Sequence, residues 1–515
     1  MSWEPEIEEL RERQRLAQQM GGAERVAKHH AAGKLTVRER VEQFLDPDSF
    51  HEIGSVTGKA QYDDRGKITS FTSSYLVMGR GRVNGKPVIV AGDDFTVRGG
   101  SSEGGGKDKL LRVEAMARDL RLPLIRLVDG TGGGGSVRTT EVLGYMKCPS
   151  LLGWGLAVQN LSTVPVVSLA LGSVAGLGAM RVAASHYSLM VKDTSQIFVA
   201  GPPVVKRIGQ DYTKNELGGS QIHTRNGTVD DEAATETKAF EMARKFLTYL
   251  PPSVYELPDR TEPADDASRI VEPLIEAIPT DPRQVYKIRP IINSVVDKDS
   301  FFEIGRLWGR SIVTGFARLD GWPVAVMGSD PYFYGGAWTV DAARKIRRFV
   351  DLAQTFHLPM MHLVDCPGFM IGLEAEQTSA VRFGMETITA INESTIPWCG
   401  IIMRKCFGIA GGAHVNNARY SMRYAWPSAE WGSLPVQGGL EVAYRAEIES
   451  APDPQARMAE IEERLRLLRS PFRSAEAFNI DEIIDPRETR RILCDFANVS
   501  AGARVAGPPS FGYRP

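Results

Sequence analysis

Cysteine is scarce in this chain, and charge of one sign does not dominate it. The 515 residues hold five cysteines, and none of their spacings forms the C-x-x-C pattern of zinc sites and redox disulfides. Lys and Arg total 61 against 63 Asp and Glu, without a run of five like charges. We therefore expect a reduced compartment and no binding to nucleic acid or an anionic membrane.

Targeting and membrane segments are also missing. The N-terminus, MSWEPEIEELRERQRLAQQM, is acidic and amphipathic, and it lacks the basic and apolar regions of a signal peptide. A stretch of 33 uncharged residues runs from Cys148 to Met180, but prolines and amides interrupt it. We interpret it as a buried helix and strand, and we expect a cytoplasmic protein.

Several common catalytic motifs are absent as well. RGGSSEGGGKDK (98–109) fails as a phosphate-binding loop, because its lysine is not followed by serine or threonine. The chain lacks an H-E-x-x-H, and no G-x-G-x-x-G opens a helix after a first strand, since Gly79-Arg80-Gly81 has Asn84 where the third glycine belongs. Cys366 and Cys406 have no evident base partner. These motifs therefore give no support for dinucleotide or metalloprotease chemistry, and we expect no metal on this chain.

The chain does contain an internal sequence repeat, whose two copies lie 236 positions apart. GRGRVNGKPVIVAGDD (79–94) and GFARLDGWPVAVMGSD (315–330) share eight identities in sixteen positions. Each copy predicts a β-hairpin, because an Asn-Gly or Asp-Gly pair that tolerates positive φ precedes an apolar strand.

A helix and a buried strand follow each hairpin. LPLIRLVDG (122–130) matches LPMMHLVDC (358–366) at the same offset. Helical patterns precede them at 107–120 and 343–356. Apolar strands that alternate with helices are typical of a parallel sheet covered on both faces.

The repeat predicts an α/β protein that arose by internal duplication. STVPVVSLALGSVAGLGA (162–179) aligns with STIPWCGIIMRKCFGIAGGA (394–413) at an offset of 232. The linker is expected in the proline-rich and acidic segment 250–266. We therefore divide the chain into an N-terminal domain at 1–255 and a C-terminal domain at 256–515.

In each half, two strands end in glycine-rich loops. Ligands of parallel α/β sheets bind at the carboxyl ends of the strands, where such loops present bare backbone amides. Two amides that converge on one oxygen form an oxyanion hole, and losing one donor typically costs ~3 kcal/mol. The alternative is that these glycines only make tight turns. The four loops are VDGTGGGGSVR (128–138), GSVAGLGA (172–179), VDCPGFMIG (364–372) and RKCFGIAGGA (404–413).

Further segments point to a known family. They are GKLTVRERV (33–41), DDFTVRGGS (93–101), FVAGPPVVKRI (198–208), ELGGSQIHT (216–224), DCPGF (365–369) and YAWPSAE (424–430). With the duplicated halves, they resemble the carboxyltransferase β subunits of biotin-dependent acyl-CoA carboxylases, such as propionyl-CoA and methylcrotonyl-CoA carboxylases. The likeness extends from about residue 20 to the end.

The resemblance implies two tandem crotonase-like domains, built from ββα spirals, in a homohexameric core. The N-terminal domain then binds acyl-CoA, and the C-terminal domain binds biotin. The carboxyl group passes from carboxybiotin to the alpha or vinylogous carbon of the acyl-CoA. Because the chain has no biotinylation motif of the MKM type, the resemblance implies a separate biotin carboxylase and biotin carboxyl carrier subunit.

Family chemistry also explains the duplication, because two enolates, one of biotin and one of the thioester, need two oxyanion holes. By motif match we expect the thioester hole at Gly132, Gly133, Gly176, Leu177 and Gly178. We expect the biotin hole at Gly368, Phe369, Gly408 and Ile409, with Gly411 and Gly412 close by. His414 is a candidate residue of the substrate pocket.

Some positions depart from the family pattern. The chain has AGLGA where the family has G-G-A, and RKCFGIAGGAH carries two extra residues. These departures leave the acyl group open. Two other functions also stay open: a carboxyacyl-CoA decarboxylase subunit of a biotin-dependent complex, and a non-catalytic paralogue that binds CoA esters.

Overall fold

The chain folds into two compact units. The computed structural model describes residues 2–101, 106–131, 140–141, 144–146, 148, 151, 153–434, 439–440, 443–509 and 511–515. Unit 1 comprises Met1–Glu256 with Phe511–Pro515, and unit 2 comprises Leu257–Ser510. The last five residues, which the sequence assigns to the second domain, therefore belong to unit 1. The buried Tyr513 explains this, because its ring packs 4.5 Å from that of His186.

Unit 1 contains ten α-helices and eleven strands among its described residues. The helices are α1 (Glu4–Gln18), α2 (Ala23–Ala31), α3 (Val37–Phe44), α4 (Lys107–Leu120), α5 (Trp154–Asn160), α6 (Leu177–Ala183), α7 (Pro202–Val205), α8 (Lys214–Gly218), α9 (Ser220–His223) and α10 (Glu236–Leu247). The strands are β1 (His51–Glu52), β2 (Gly58–Tyr62), β3 (Ile68–Ser73), β4 (Leu76–Val83), β5 (Lys86–Asp93), β6 (Leu124–Val128), β7 (Val166–Ala170), β8 (Ser173–Ala175), β9 (Tyr187–Val191), β10 (Gln196–Phe198) and β11 (Asp231–Ala233).

The main sheet of unit 1 has seven strands in the order β1-β4-β5-β6-β7-β9-β11. β4 and β5 form an antiparallel hairpin, and the strands from β5 to β11 run parallel. β8 and β10 form a separate parallel pair, and β2 and β3 form a separate hairpin. Every residue of β6 and β7 is buried, as expected for strands covered on both faces.

Unit 2 repeats this plan with the remaining described elements. Its helices are α11 (Ile288–Val295), α12 (Val340–Thr355), α13 (Leu373–Gln377), α14 (Ala380–Glu393), α15 (Gly408–Gly412), α16 (Arg445–Glu449), α17 (Pro454–Arg466), α18 (Pro471–Glu476) and α19 (Thr489–Ala501). Its strands are β12 (Phe302–Ile304), β13 (Ile312–Leu319), β14 (Trp322–Ser329), β15 (Met360–Cys366), β16 (Trp398–Phe407), β17 (Met422–Ala425), β18 (Glu430–Gly432) and β19 (Glu482–Ile483).

The sheet of unit 2 has the order β12-β13-β14-β15-β16-β17-β19, and β18 also pairs with β16. β13 and β14 are antiparallel, whereas the strands from β14 onward are parallel. The core of this unit lies where α11 and α19 pack their apolar faces on the sheet. Ile292 and Leu493 are fully buried there.

The two hairpins confirm the turns that the repeat predicts. Asn84 and Gly85 connect β4 to β5 with φ values of 52° and 77°. Asp320 and Gly321 connect β13 to β14 with φ values of 50° and 78°. Positive φ at both central residues is the conformation that Asn-Gly and Asp-Gly pairs favour.

Where it is described, the uncharged segment from Cys148 to Met180 forms a helix and strands, and β7 is fully buried as predicted. The prediction of a buried helix is wrong, because only Ala157 and Asn160 of α5 are buried. The segment contains α5, β7, β8 and the first turn of α6. Within the described ranges, no helix combines the length and the apolar character needed to cross a bilayer.

Candidate active site

The second glycine-rich loop of unit 1 ends at a sharp turn into α6. Gly176 precedes the helix with a φ of 55° and a ψ of −118°, which a residue with a Cβ rarely adopts. The space around its Cα is open, since no atom lies within 4 Å of a Cβ built there. Leu177 is therefore the first helical residue, and its amide begins the helix.

Of the three expected amides in this turn, two have acceptors among the described residues. The Gly176 amide donates to the Phe198 carbonyl at 3.0 Å, and the Gly178 amide donates to the Thr131 carbonyl at 3.0 Å. The Leu177 amide has no acceptor among the described residues, because a helix leaves its first N–H groups unpaired. This narrows the expected donor set of Gly176, Leu177 and Gly178 to Leu177.

The first glycine-rich loop of unit 1 lies beside this turn. Besides the bond from Gly178 to Thr131, a Cβ on Gly178 would lie 2.5 Å from the Gly130 carbonyl oxygen. Position 178 therefore needs glycine for close approach. The expected donors Gly132 and Gly133 follow Thr131 directly, but they lie outside the described residues.

A buried carboxylate connects the two loops of unit 1. Asp93, at the end of β5, accepts hydrogen bonds from Arg181 Nη1 at 3.1 and 3.2 Å. It also accepts the amide of Asp129, which opens the first loop, at 3.3 Å. Burial raises the pKa of Asp93, although Arg181 opposes this shift. Since Arg181 lies on α6, this carboxylate holds both the loop and the helix of Leu177.

A second buried network lies under the same loops. Arg40 donates to Asp129 Oδ2 at 2.9 Å, to Glu236 Oε2 at 2.7 Å and to the Leu171 carbonyl at 3.0 Å. Arg40 thus joins the residue after β6 to the residue after β7. Lys34 Nζ lies 3.9 Å from Asp129 Oδ1, and burial lowers the pKa of this lysine.

Unit 2 repeats the turn at the end of β16. Gly408 has a φ of 62°, and Ile409 follows it in α15. The Ile409 amide donates to no acceptor in the part of the chain that the structure describes. Ile409 is 71% exposed, so this residue lies at the surface and not in the core.

The loop after β15 approaches this turn. A Cβ on Gly368, whose φ is 124°, would lie 3.6 Å from the Phe407 carbonyl oxygen. The Gly368 carbonyl accepts the Trp338 amide at 3.0 Å, and the Trp338 carbonyl accepts the Met370 amide at 2.9 Å. The amide of Phe369 between them has no acceptor within the described ranges. Phe369 and Ile409 thus carry, within the described ranges, amides without acceptors on neighbouring loops.

The other expected residues of unit 2 lie behind these donors. Gly411 packs on Cys406, because a Cβ there would lie 2.7 Å from the Cys406 carbonyl carbon. Gly412 has open space and accepts a hydrogen bond from Asn417 at its carbonyl. His414 is buried, and its Nδ1 lies 2.7 Å from the Gly411 carbonyl oxygen. His414 therefore contacts α15 from its buried side, and its place in the substrate pocket stays a prediction.

The side chains near these loops are poor bases and nucleophiles at neutral pH. Burial raises the pKa values of Cys366 and Cys406 to about 12, so both remain thiols. Burial also lowers the pKa values of His362 and His414 to about 4, so both imidazoles are neutral. Asp365 is held by Tyr286 at 2.9 Å and by Arg404 at 3.0 Å. Within the described ranges, no group of three or more His, Cys, Asp or Glu side chains is placed to hold a metal ion.

Sequence reasoning missed Asp93 and Arg181. The pair is separated by 88 positions, so spacing along the chain gives no sign of it. The available signal was the acid at the end of β5, since buried polar groups at strand ends often belong to sites. The repeat directed attention to Asp94, whose side chain instead bonds Thr96 at 2.5 Å.

A comparison with protein families identifies the family of this chain. The model of the carboxyl transferase domain matches residues 28–511. The chain belongs to the carboxyl transferase family. The carboxyltransferase subunit of propionyl-CoA carboxylase from Haloferax mediterranei is similar, with 34% identity over 506 residues and 96% coverage of both chains. The methylmalonyl-CoA carboxyltransferase 12S subunit of Propionibacterium freudenreichii is 31% identical, covering 98% of this chain and 96% of its own.

Solved carboxyl transferase structures share the fold. A crystal structure of transcarboxylase 12S, a hexamer with methylmalonyl-coenzyme A and methylmalonic acid bound, superposes with a TM-score of 0.87 at 30% identity. The match covers 99% of this chain and 97% of that one. These similarities confirm the expected membership among carboxyltransferase subunits of biotin-dependent acyl-CoA carboxylases and the crotonase-like α/β fold. The chain is accordingly a carboxyl-transfer enzyme.

Proposed function

We propose that this chain transfers the carboxyl group from carboxybiotin, carried on a separate biotinylated subunit, to the alpha or vinylogous carbon of an acyl-CoA. The observation that carries the proposal is the matched pair of free amides. Leu177 in unit 1 and Ile409 in unit 2 each follow a glycine of positive φ and lie in the first turn of a helix that comes after a strand. The same device occurs once in each copy of the duplicated fold.

In unit 1 the Leu177 amide is the donor for the thioester oxygen of the acyl-CoA. Removing the α-proton of a thioester places negative charge on that oxygen, and a fixed amide stabilises the charge without reorganising. Gly132 and Gly133, next to Thr131, are proposed to supply the second donor. This assignment makes residues 1–255 the acyl-CoA side.

In unit 2 the amides of Ile409 and Phe369 are the donors for the ureido oxygen of biotin. This donor set suits a carbonyl oxygen that is neutral at rest, because it consists of backbone N–H groups and not of cations. Ile371, two residues beyond Phe369, is apolar and exposed, and it suits the apolar faces of a fused ring. This assignment makes residues 256–515 the biotin side.

Carboxybiotin brings the carboxyl group and, after its loss, a basic ureido nitrogen that takes the α-proton of the acyl-CoA. The side chains of unit 2 are consistent with this role for the cofactor, since the nearby thiols are protonated and Asp365 is held by Tyr286 and Arg404. The chain then orients two reactants and stabilises charge on two oxygens. It supplies no side-chain base of its own among the described residues near unit 2's loops.

The Asp93–Arg181 pair is expected to position the thioester-side donors, because it joins α6 to the first loop. Arg181→Lys keeps a positive charge, but the lysine side chain is one atom too short to reach the place of Nη1, the nitrogen that contacts both Asp93 oxygens. We expect kcat for carboxyl transfer to fall roughly tenfold, with the KM for acyl-CoA nearly unchanged, since misplaced catalytic groups affect the transition state most. Steady-state kinetics with varied acyl-CoA measures both constants.

A matched control for this prediction is Arg490→Lys. Arg490 is fully buried and pairs with Asp297 at 2.8 Å, but it lies on α19, away from the strand ends that carry the donors. We expect this variant to lower the thermal midpoint without the tenfold loss in kcat. Equal losses of kcat in both variants would mean that Arg181 acts through stability alone.

Reconstitution tests the proposed function. The full chain is purified with its biotinylated partner and incubated with ATP, radiolabelled bicarbonate and a panel of acyl-CoAs, including acetyl-CoA, propionyl-CoA, butyryl-CoA and 3-methylcrotonyl-CoA. We expect label in at least one carboxyacyl-CoA, and avidin should abolish it by trapping biotin. The labelled product identifies the acyl group.

The same reagents separate the alternatives. Absence of label in every CoA ester, beside a working control carboxylase, would contradict the assignment as a carboxylase subunit. Release of CO₂ from methylmalonyl-CoA without labelling of any acyl-CoA would instead support the decarboxylase. Binding of CoA esters without either reaction would support the non-catalytic paralogue.

A further inference from the structure

The helix starts of α3 and α11 occupy the same place in the two units but differ in charge. At the second helical position, Arg38 bonds Glu52 at 2.9 Å, and Arg289 bonds Glu303 at 2.9 Å. The matched arginines therefore give the register of one helix on the other. Residue 287 in unit 2 corresponds to residue 36 in unit 1.

The helix α3 of unit 1 has a side-chain N-cap, whereas the helix α11 of unit 2 has none. Thr36 and Glu39 form a capping box at the start of α3. At α11 the corresponding residues are Lys287 and Pro290, and no side chain caps the helix. A positive side chain at a helix N-terminus opposes the helix dipole. Departures of this kind from local preference mark functional or strained sites.

A cavity of about 360 Å³ opens beside Lys287. Three segments of unit 2 line it: the start of α11, the loop between β12 and β13, and the turn after β14. Its cations are Lys287, Arg289, Arg306 and Arg310, and its only lining acid among the described residues is Asp330.

The cavity carries positive charge that its own residues do not neutralise. Asp330 and Glu303 both engage Arg289, at 2.7 and 2.9 Å. Neither Lys287 nor Arg310 has a carboxylate within ion-pair distance in the described part of the chain. Clustered cations without counter-ions repel each other, so an anionic ligand is the natural complement.

Aromatic rings also line the cavity. The Arg310 guanidinium lies 3.8 Å from the centroid of the Phe333 ring, which fixes the direction of the cation. Tyr332 is 54% exposed and presents its ring at the cavity edge. A flat, exposed ring next to a cationic pocket suits a ligand that joins an anion to a planar base.

From the cavity, its unpaired cations and its aromatic rings, we infer that unit 2 binds a phosphorylated nucleoside between Lys287, Arg310 and Tyr332. The phosphate contacts the Lys287 ammonium and the Arg310 guanidinium, which bind phosphate as a point charge and as a planar fork. The base stacks on Tyr332. The volume is at the small end of the range for small-molecule sites, as a mononucleotide requires.

Two sources share this chemistry. One is the phosphorylated adenosine end of coenzyme A, and the other is a free adenine nucleotide. The inference does not depend on the proposed carboxyl transfer, because it concerns residues outside the donor loops.

Calorimetry of the full chain tests the inference. ADP, adenosine 3′,5′-bisphosphate, adenosine and inorganic phosphate are titrated into the wild-type chain and into Lys287→Asp/Arg310→Ala. Arg473→Ala, which removes an exposed arginine from α18, is the control for loss of a surface cation away from the cavity. We expect at least tenfold weaker nucleotide binding in the double variant and unchanged binding in the control.

The single variant Lys287→Asp tests whether weaker binding in the double variant could result from misfolding. Aspartate is a preferred residue before a helix, so this variant should keep or raise the thermal midpoint while it weakens nucleotide binding. Tighter binding of the bisphosphate than of ADP would assign the site to the coenzyme A end, and the reverse order would assign it to a free nucleotide. The inference is overturned if the double variant binds like the wild type, or if adenosine or phosphate alone binds as well as ADP.

Discussion

Leu177→Pro should lower kcat for carboxyl transfer by about 10²–10³-fold while the protein stays folded. Proline removes the amide N–H that we assign to the thioester oxygen, and losing one such donor has this magnitude in other enzymes. Full-chain enzyme, reconstituted with its biotinylated partner, is assayed by incorporation of labelled bicarbonate into acyl-CoA.

The backbone at this position is suited to the substitution. Leu177 is the first residue of α6, where proline is favoured because the N–H makes no intrahelical bond. The residue before proline is usually restricted by its Cβ, but Gly176 has none. Its φ of 55° and ψ of −118° mirror an extended conformation, which a following proline accepts. The variant therefore removes a donor with little cost to the helix.

Leu177→Ala is the matched control. It keeps the amide and removes the side chain, which lines a small cavity with Leu110 and Trp154. We expect a modest loss of stability and a change in kcat of less than about tenfold. A large loss of kcat in Leu177→Ala as well, or normal turnover in Leu177→Pro, would contradict the role of the amide.

Ile409→Pro should cause a similar loss, about 10²–10³-fold in kcat, on the other half of the reaction. The Ile409 carbonyl still accepts the Ala413 amide at 3.1 Å, so α15 keeps that bond. Because the side chain is mostly exposed, its removal costs little packing. Ile409→Ala again keeps the amide and should remain active.

A partial reaction separates the two proline variants. Carboxylated partner subunit, mixed with the chain in the absence of acyl-CoA, releases labelled CO₂ in a step that needs only the biotin side. Ile409→Pro should slow this release, whereas Leu177→Pro should not. If Leu177→Pro slows the release equally, or Ile409→Pro leaves it unchanged, the assignment of acyl-CoA to unit 1 and biotin to unit 2 is wrong.

Local patterns predicted the regular elements well. The helical pattern at 107–120 coincides with α4, and the pattern at 343–356 overlaps α12 at Val340–Thr355. Both hairpins form at the predicted Asn-Gly and Asp-Gly pairs, because positive φ is a property of those residues and their neighbours. Buried strands followed from apolar runs for a similar local reason.

The choice among neighbouring amides was beyond the sequence. The sequence does not distinguish the amides of Gly176, Leu177 and Gly178 as donors. In the structure, the Gly176 and Gly178 amides donate to the carbonyls of Phe198 and Thr131. Those acceptors come from distant segments that only the folded sheet brings near. The burial of His414 was equally beyond the sequence, because it depends on packing against α15 and not on its distance from the loop along the chain.

The sequence by itself determined the duplication, the α/β class, the positions of the glycine-rich loops and the family resemblance. Each of these depends on local motifs or on the internal sequence repeat. Only the tertiary structure decided which amides stay free, that Asp93 joins Arg181 to the first loop, and that Lys287, Arg310 and Tyr332 share one cavity. The physical reason is that hydrogen bonds, ion pairs and cavities depend on distances in space. Residues far apart in the chain set those distances.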